Sequence, residues 1–345
     1  MLHVLPHTGG GGELYVDLLA DVPDTEQRRL YASPGRSPVA ALAGLPVHGA
    51  AIRRAAAASD LVHVHGDMAT ALTLGFAAGR PVVWTTHGLS FLRRSGGVPH
   101  AVFVRRLRRV LARTHTTICT TAAERDELQA LIDPAAQARL RVVPNGIDLP
   151  AALPPEHRSR IRAALGIAED EVVALFAGRL DDDKGVRDAA EAAEAACAAG
   201  AAITLLVAGE GPLERELRSI AGPAVRLLGF RDDVVDLLGA ADVFVLPSRR
   251  EGSSYAVIEA LGSGVAVVVC DGLGNPETVG DAGVVVPCGD VPALAGVLGE
   301  LASDPGRRAA LGAAGRARVG SALGRRRFVE DVAAIYREAC PQPPV

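Results

Sequence analysis

The sequence predicts an α/β protein made of two Rossmann-like domains that face each other across a cleft. Short, continuous apolar runs alternate with helical patterns along the whole chain, which is typical of parallel sheets covered by helices on both faces. The chain has 345 residues, too many for one ordinary core, because domains of about 150 residues are the norm. Two such domains account for both observations.

The predicted strands form two series. Each is a short β-branched or apolar run bounded by turn residues, and helical patterns such as ELYVDLLA, AERDELQALI and YAVIEALGSG separate them. The first series is LHVL, RRLY, LVHVH, PVVWTT, TTICT and RLRVVP. The second series is VVALFAG, ITLLVAG, VRLLG, DVFVLP, VAVVVC and GVVVP.

The domain boundary is predicted in PNGIDLPAALPPEH, residues 144–157. This stretch is rich in proline and shows neither helical nor strand periodicity, as a linker does. We expect one domain over residues 1–150 and a second over residues 151–324. The helical pattern at about 325–340 is expected to pack back on the first domain.

Composition limits the function classes. The net charge of −4 argues against a nucleic-acid-binding protein. The five cysteines lie far apart without a CxxC pair, so we expect neither a disulfide framework nor a zinc site, and a reducing compartment. The N-terminus does not have the pattern of a signal peptide, and no apolar run reaches the ~18 residues of a spanning helix. The sequence therefore predicts a cytoplasmic location.

A glycine-rich turn follows the first predicted strand in HTGGGGEL, residues 7–14. Gly10, Gly11 and Gly12 would let the backbone approach a bound group closely, and the N-terminus of the following helix would offer N–H donors to an anion. A plain tight turn is the alternative, because such turns are common in α/β folds.

A second candidate feature is the only lysine of the chain. Of the 36 basic residues, 35 are arginine, and Lys184 lies in AGRLDDDKGV, five residues after Arg179. A guanidinium and an ammonium beside a helix N-terminus could neutralise a diphosphate, whereas the alternative is a solvated loop. The aspartates between them, residues 181–183, are expected to cap the helix rather than bind a metal.

The third candidate feature is SRREGSSYAVIEALGSG, residues 248–264. Glu251 is predicted on a loop after a strand and Glu259 on the following helix. The first-turn amides between them suit phosphate oxygens, and the carboxylates suit vicinal hydroxyl groups. These amides belong to Gly252, Ser253, Ser254 and Tyr255. The alternative is a capping glutamate with a surface glutamate.

Five motifs in order and spacing resemble the retaining, GT-B fold glycosyltransferases of family 4. They are GRLDDDKG, VAGEGPLEREL, LLGFRDDV, EGSSYAVIE with its two glutamates eight residues apart, and GNPETVGDAGVVVPCGD. The resemblance covers residues 141–320 almost completely. The first half is similar more loosely, through the glycine turn, LVHVHG, TTHGLSF and VVPNGID.

The resemblance implies a role for each matching residue. Arg179 and Lys184 would hold the diphosphate of a nucleotide-sugar donor. Glu251 would bind hydroxyls of the donor sugar and Glu259 the ribose. Two other positions, Gly209 and Phe230, would line the donor site, with Phe230 beside the base. His87, in TTHG at a strand end, would face the sugar near the reacting carbon; a structural histidine is the alternative.

The sequence also departs from the family pattern. Phenylalanine or leucine, glycine and proline are common where this chain has Ser253, Ser254 and Ala256, which leaves the donor sugar open. His63 and His65, in LVHVHG, are expected to point to opposite faces of their strand, so that at most one would face the cleft.

Residues 93–113 form an arginine-rich stretch, and the chain has no acidic residue between Asp67 and Glu124. On a helix from about Val98, an apolar stripe of Phe103, Leu107, Val110 and Leu111 opposes the arginines. The pattern fits an anionic membrane surface, but an amphipathic helix packed on the domain with solvated arginines is the favoured interpretation, because the apolar stripe is no wider than a core-facing helix needs.

The resemblance thus implies retaining transfer of a glycosyl group from a nucleotide sugar to an acceptor hydroxyl or amine, on a small molecule, a natural product or a lipid carrier. No cofactor and no essential metal are expected, and the oligomeric state stays open. Three alternatives remain: an idle nucleotide-sugar-binding module, a glycosyl phosphorylase, and an NAD-dependent oxidoreductase. The last needs an acidic residue closing the second strand, whereas Asp24 and Glu26 precede that strand.

Overall fold

The computed structural model describes residues 1–6, 11–32, 38–66, 74–89, 97–151 and 154–341. The chain divides into two compact units. The first unit consists of Met1–Asn145 together with the chain from Arg325 onwards, and the second consists of Gly146–Gly324. Each unit contains a six-stranded parallel sheet flanked by helices. The predicted α/β fold class with two Rossmann-like units is confirmed.

The sheet of the first unit has the order β2-β1-β3-β4-β5-β6. Its inner strands are buried along their whole length, whereas the edge strand β2 is largely exposed. This burial explains why the inner strands are continuous apolar runs. The strands are β1 (Leu2–Leu5), β2 (Arg28–Tyr31), β3 (Val62–His65), β4 (Val82–Thr85), β5 (Thr116–Cys119) and β6 (Leu140–Val142).

The helices of the first unit include the last helix of the chain. That helix packs on the unit through Phe328, whose ring meets Tyr15 edge-on at 4.8 Å, and through Tyr336, which hydrogen-bonds His63. The helices are α1 (Gly11–Leu18), α2 (Pro38–Ala57), α3 (Gly97–Leu111), α4 (Ala122–Gln129), α5 (Pro134–Gln137) and, in chain order the last, α14 (Arg325–Ala339).

The sheet of the second unit has the order β12-β11-β10-β7-β8-β9. The chain first runs outward from β7 to β9 and then returns to the other side of β7, so the winding direction reverses between β7 and β10. Ligands of open α/β sheets bind at such a switch point. The strands are β7 (Val172–Ala177), β8 (Ile203–Ala208), β9 (Val225–Gly229), β10 (Val243–Leu246), β11 (Ala266–Cys270) and β12 (Gly283–Val286).

The helices of the second unit cover this sheet. The buried face of α7 is almost entirely alanine, which allows close packing on the strands because the side chains are small. The helices are α6 (Pro155–Ala164), α7 (Val186–Ala198), α8 (Glu214–Ile220), α9 (Val234–Ala240), α10 (Tyr255–Ser263), α11 (Asn275–Val279), α12 (Val291–Ser303) and α13 (Pro305–Ala322).

The described part of the apolar stripe on the arginine-rich helix α3 faces inward. Leu107 and Leu111 belong to a core cluster with Trp84, while Arg105 and Arg109 are exposed. Leu107 and Leu111 are therefore used for core packing. Contact of this helix with an anionic membrane surface stays a prediction, and it concerns the arginines alone. Within the described ranges, no helix has both the length and the apolar character needed to cross a membrane.

Cys270 and Cys288 form a disulfide bond, and the expectation of no disulfide was wrong in this respect. Cys270 ends β11 and pairs in register with Val286, the last residue of β12. Cys288 follows two residues later, so strand pairing brings the two cysteines together. Their separation of 18 residues gives no sign of this, because it depends on which strands are neighbours.

Gly209 closes the turn after β8 in a backbone conformation that only glycine adopts readily, with φ of +146°. A Cβ at this position would overlap the carbonyl oxygen of Gly178 in the loop after β7. The close approach of these two loops therefore requires glycine.

We expect Gly209→Ala to lower the free energy of unfolding by about 2 kcal/mol or more, because both the φ angle and the overlap must relax. Gly296→Ala is the matched control: this helical glycine has open space around its Cα, and alanine should raise stability by up to about 1 kcal/mol. Urea unfolding of both variants measures the difference. Equal stability of the two variants would contradict the steric argument.

Candidate functional site

Two of the sequence-predicted segments meet at the carboxyl edge of the second sheet. The loop after β7 carries Lys184, and the loop after β10 carries Glu251. Because β7 and β10 are neighbours in the sheet, their loops lie side by side. The Lys184 Nζ and Glu251 Oε1 atoms are 2.5 Å apart, and the amide of Arg249 donates to the Asp183 carbonyl at 2.8 Å.

Lys184 is held by a short 3-10 turn over Asp182–Lys184. The carboxylate of Asp181 accepts a hydrogen bond from the Lys184 amide at 3.1 Å. The next residue, Gly185, has a φ of +69°, and a Cβ there would overlap the Pro247 carbonyl. The local backbone thus directs the Lys184 side chain towards the β10 loop, where it is only 25% exposed.

Arg179 lies in the same loop and bonds the same aspartate, with 2.6 Å between its Nε and Asp181 Oδ2. Asp181 therefore joins the segments of both cations. All three aspartates at 181–183 contact arginines, as capping or surface charges do. The pairs are Asp181 with Arg179, Asp182 with Arg187 and Asp183 with Arg250.

Residues 251–254 of the loop that carries Glu251 are buried. Glu251 is 9% exposed, and Ser253 and Ser254 are similarly enclosed. The neighbouring loop supports this loop: the Glu251 amide donates to the Leu273 carbonyl at 3.1 Å, and Gly274 packs so closely that a Cβ would lie 2.5 Å from the Gly252 oxygen. A buried carboxylate needs such a fixed setting and a cationic partner.

Helix α10 begins directly after this loop, at Tyr255. Ser254 occupies the capping position but makes no side-chain cap hydrogen bond. Glu259 follows on the second turn, half-buried, and burial raises the pKa of its carboxyl. It has no hydrogen-bond or ion-pair partner among the residues that the structure describes.

The ends of β8 and β9 extend the same edge. The Gly209 amide donates to the Gly229 carbonyl at 2.8 Å, and the Leu180 amide donates to the Glu210 carbonyl at 2.9 Å. Phe230 follows Gly229 and is 70% exposed, the most exposed large hydrophobic residue described. The structure therefore connects Gly209 and Phe230 to the loop of Arg179 and Lys184.

The remaining predicted residues belong to the first unit. Gly11 and Gly12 are the first residues of α1, while Gly10 lies outside the described residues. His87 follows β4 with a φ of +51°. The turn around it is fixed by Glu124, a fully buried carboxylate that accepts from the Thr86 hydroxyl at 2.6 Å and from the Gly88 amide.

His87, which is partly buried, is the end of a row of imidazoles whose other members, His65 and His3, are fully buried. His65 Nδ1 lies 3.0 Å from His87 Nε2, and His65 Nε2 lies 3.0 Å from His3 Nδ1. Burial lowers the pKa of His87 to about 4 and, with the nearby charge of Arg29, that of His3 to about 3. These rings are therefore neutral at pH 7.

The prediction that His63 and His65 point to opposite faces was wrong. Residues two apart on a strand share a face, and the two rings lie 4.1 Å apart between centroids. His3 joins them because β1 pairs with β3 in the register that aligns His3 with His63. His3 and Glu124 were not predicted from the sequence; the histidines at 3, 63 and 65, all in strands of one sheet, were the available signal for His3.

Within the part of the chain that the structure describes, two groups of side chains could hold a metal ion. The histidines His3, His63 and His65 have ligand atoms within 4.8 Å of one another, as do Cys270, Asp271 and Cys288. In the first group, however, both nitrogens of His63 and both of His65 already make hydrogen bonds. In the second, the two sulfurs are joined to each other.

The second unit thus combines cations, amides and carboxylates at the end of four neighbouring strands. Cations beside helix and turn amides bind oxyanions, and fixed carboxylates accept hydrogen bonds from hydroxyl groups. Such an edge suits a ligand with phosphate and polyol parts.

Comparison with known proteins agrees with this chemistry. The family model Glycosyltransferase Family 4 matches residues 6–150, and Glycosyl transferases group 1 matches residues 171–304. The D-inositol 3-phosphate glycosyltransferase of Saccharomonospora viridis is 32% identical over 309 residues, which cover 81% of this chain and 70% of that protein.

A second relative is the GDP-mannose-dependent monoacylated alpha-(1-6)-phosphatidylinositol monomannoside mannosyltransferase of Corynebacterium glutamicum. It is 38% identical over 192 residues, which cover 51% of this chain, and the chain spans only half of that relative's length.

Solved structures show the same fold. Anabaena HepE in complex with UDP-glucose superimposes with a TM-score of 0.83 at 20% identity, over 97% of this chain and 98% of that one. WaaG, a glycosyltransferase involved in lipopolysaccharide biosynthesis, gives 0.76 at 18% identity, over 97% and 99%. The chain belongs to the family 4, group 1 glycosyltransferases, which have the GT-B fold.

Proposed function

We propose that the protein transfers a sugar from a nucleoside-diphosphate sugar to an acceptor hydroxyl or amine, with retention at the anomeric carbon and without an essential metal. The observation that carries the proposal is the contact of Lys184 with Glu251, beside the first turn of α10. The contact brings an ammonium and a carboxylate together near helix amides on adjacent strand ends, an arrangement that would suit a sugar diphosphate.

Lys184 and Arg179 bind the donor diphosphate in this account. Both cations are already held by acidic partners, Lys184 by Glu251 and Arg179 by Asp181. A bound diphosphate brings two negative charges and replaces or shares these partners. Because cleavage leaves more charge on the diphosphate, the two cations bind the transition state more strongly than the intact donor.

The two glutamates bind the hydroxyl-bearing parts of the donor. Glu251 takes the sugar and Glu259 the ribose, as the family resemblance implies for their positions. The absence of a described partner for Glu259 supports this role, because a half-buried carboxylate without one gains hydrogen bonds when hydroxyls arrive. The exposed ring of Phe230 is available to the base at the end of β9.

The proposed reaction breaks the bond between the anomeric carbon and the phosphate oxygen. The acceptor oxygen forms its new bond from the same face, and its proton passes to the leaving phosphate. His87 takes the sugar-facing role that the resemblance assigns to it. Its Nε2 contacts His65, so as a neutral imidazole it offers the sugar only Nδ1, as a donor or an acceptor according to its tautomer.

The names of relatives suggest which donors to test first. The Corynebacterium relative is GDP-mannose-dependent, and Anabaena HepE was solved with UDP-glucose. Ser253 and Ser254, which depart from the family pattern in the buried loop after Glu251, are where sugar selection is proposed to occur. The proposed acceptor is a small polyol or a lipid-linked glycan.

Isothermal titration calorimetry with UDP, GDP and NAD⁺, in the presence of EDTA, tests the proposed function. We expect one of the nucleoside diphosphates to bind and NAD⁺ not to bind, because the site supplies cations and needs no metal. NMR of the product formed from the matching sugar donor should show the anomeric configuration of the donor. Binding of NAD⁺ alone would contradict the proposal.

Replacement of the lone lysine separates its charge from its shape. We expect Lys184→Met to weaken nucleoside-diphosphate binding by about 10- to 100-fold, the effect of losing a charge-assisted hydrogen bond. Lys184→Arg should restore only part of the affinity, since a planar guanidinium does not replace a compact ammonium beside Glu251. Arg218→Met, which removes an exposed cation of the same unit, serves as the control and should bind like wild type.

Glu259→Gln should stabilise the free protein while weakening donor binding. Folding buries Glu259 and raises the pKa of its carboxyl. Ionisation therefore begins to lower the free energy of unfolding as the pH rises past the pKa of the unfolded state, and this loss of stability is complete above the pKa of the folded state. Chemical unfolding should therefore show a larger gain for Glu259→Gln at pH 7 than at pH 4. The control Glu169→Gln, at an exposed glutamate, should show no such gain in stability. An equal gain of Glu259→Gln at both pH values would contradict a pKa that burial raises.

A further inference from the structure

We propose that His65 and His3 are positioning residues that hold His87 in one ring orientation and one neutral tautomer. The inference deepens the proposed function, since it takes His87 as the residue that acts at the sugar. Its basis is an uninterrupted row of three imidazoles in the first unit, joined by ring-nitrogen contacts of 3.0 Å each.

The row couples the proton positions of its members. A neutral imidazole has one N–H and one bare nitrogen, and each contact between two nitrogens holds a single proton. If His3 donates to His65, then His65 must donate to His87. In the opposite arrangement, His87 donates to His65 and His65 donates to His3. His87 therefore cannot change its tautomer unless His65 and His3 change with it.

Packing fixes the ring of His87 in addition to the hydrogen bond. The His65 and His87 rings are nearly parallel, with centroids 5.3 Å apart. Tyr15 meets His87 edge-on, with centroids 4.8 Å apart and an angle of 90°. Tyr15 also contacts His65 at 5.4 Å, so one aromatic side chain supports both members of the contact.

Burial keeps the row uncharged. Burial lowers the pKa of His65 well below its usual range, and the pKa values of His3 and His87 are lowered as well. A doubly protonated ring would break the alternation of donor and acceptor, and the buried setting disfavours it. The arrangement is therefore stable at neutral pH, where the proposed reaction needs a neutral His87.

His63 provides a matched control within the same strand. It is buried like His65, points to the same face and lies against it. Its nitrogens bind other partners, however: Tyr336 Oη at 2.6 Å and Thr85 Oγ1 at 2.7 Å. Replacing His63 disturbs the same core without breaking the row.

Two substitutions of His65 break different contacts of the row. Because of its longer side chain, the amide of glutamine stands near the position of Nε2, so His65→Gln keeps a partner for His3 and loses the one for His87. The amide of asparagine stands near Nδ1, so His65→Asn keeps a partner for His87. A merely structural role predicts equal effects from the two variants.

The test combines NMR of the whole protein, labelled with ¹⁵N in the histidine rings, with donor kinetics. The His87 signals are assigned by their loss in His87→Gln. Wild type and His63→Gln should show one neutral tautomer of His87, whereas His65→Gln should show a mixture. We expect kcat to fall about tenfold in His65→Gln with little change in the donor KM. His65→Asn and His63→Gln should stay within about threefold of wild type.

The outcomes distinguish this inference from the proposed function. If His87 keeps one tautomer in His65→Gln, or if His63→Gln lowers kcat as much as His65→Gln, the positioning role is wrong, whether or not the protein transfers sugar. If wild type neither binds nor uses any nucleotide sugar, the proposed function fails, and the NMR comparison still decides on the row. Thermal unfolding of each variant verifies that the folded protein is compared.

Discussion

The contact between Lys184 and Glu251 is the interaction on which the account of the donor site depends. It joins two loops that are 67 residues apart in sequence and that become neighbours only because the sheet reverses direction between β7 and β10. A carboxylate as buried as that of Glu251 needs a cationic partner, and the single lysine of the chain supplies it. The pair thereby keeps the ammonium at the strand edge, where the proposed function needs it.

The two units fix their key side chains by different physical means. The second unit uses charge: Asp181 caps the Lys184 turn and pairs with Arg179. The first unit uses hydrogen bonds and packed rings around His87, and the buried carboxylate of Glu124 holds the turn. A charged diphosphate would require the first kind of arrangement.

Much of the fold could be predicted because parallel strands buried on both faces are continuous apolar runs. All twelve predicted strand segments coincide with strands of the structure. Two inferences failed for identifiable reasons. His63 and His65 were predicted to point to opposite faces of their strand, whereas residues two apart share a face. The Cys270–Cys288 bond depends on the pairing of β11 with β12, which sequence spacing does not reveal. Glu124 was overlooked because its partners, Thr86 and Gly88, lie on another strand end.

A double-mutant cycle for UDP or GDP binding tests the central claim most directly. It compares wild type, Lys184→Met, Glu251→Gln and the double variant by calorimetry, using the nucleotide that binds. If Lys184 neutralises Glu251 at the phosphate site, removal of the lysine leaves a carboxylate that repels the diphosphate, and Glu251→Gln should then recover part of the affinity. The account predicts a coupling free energy of about 1 kcal/mol or more between the two positions. Additive effects of the two substitutions would contradict it.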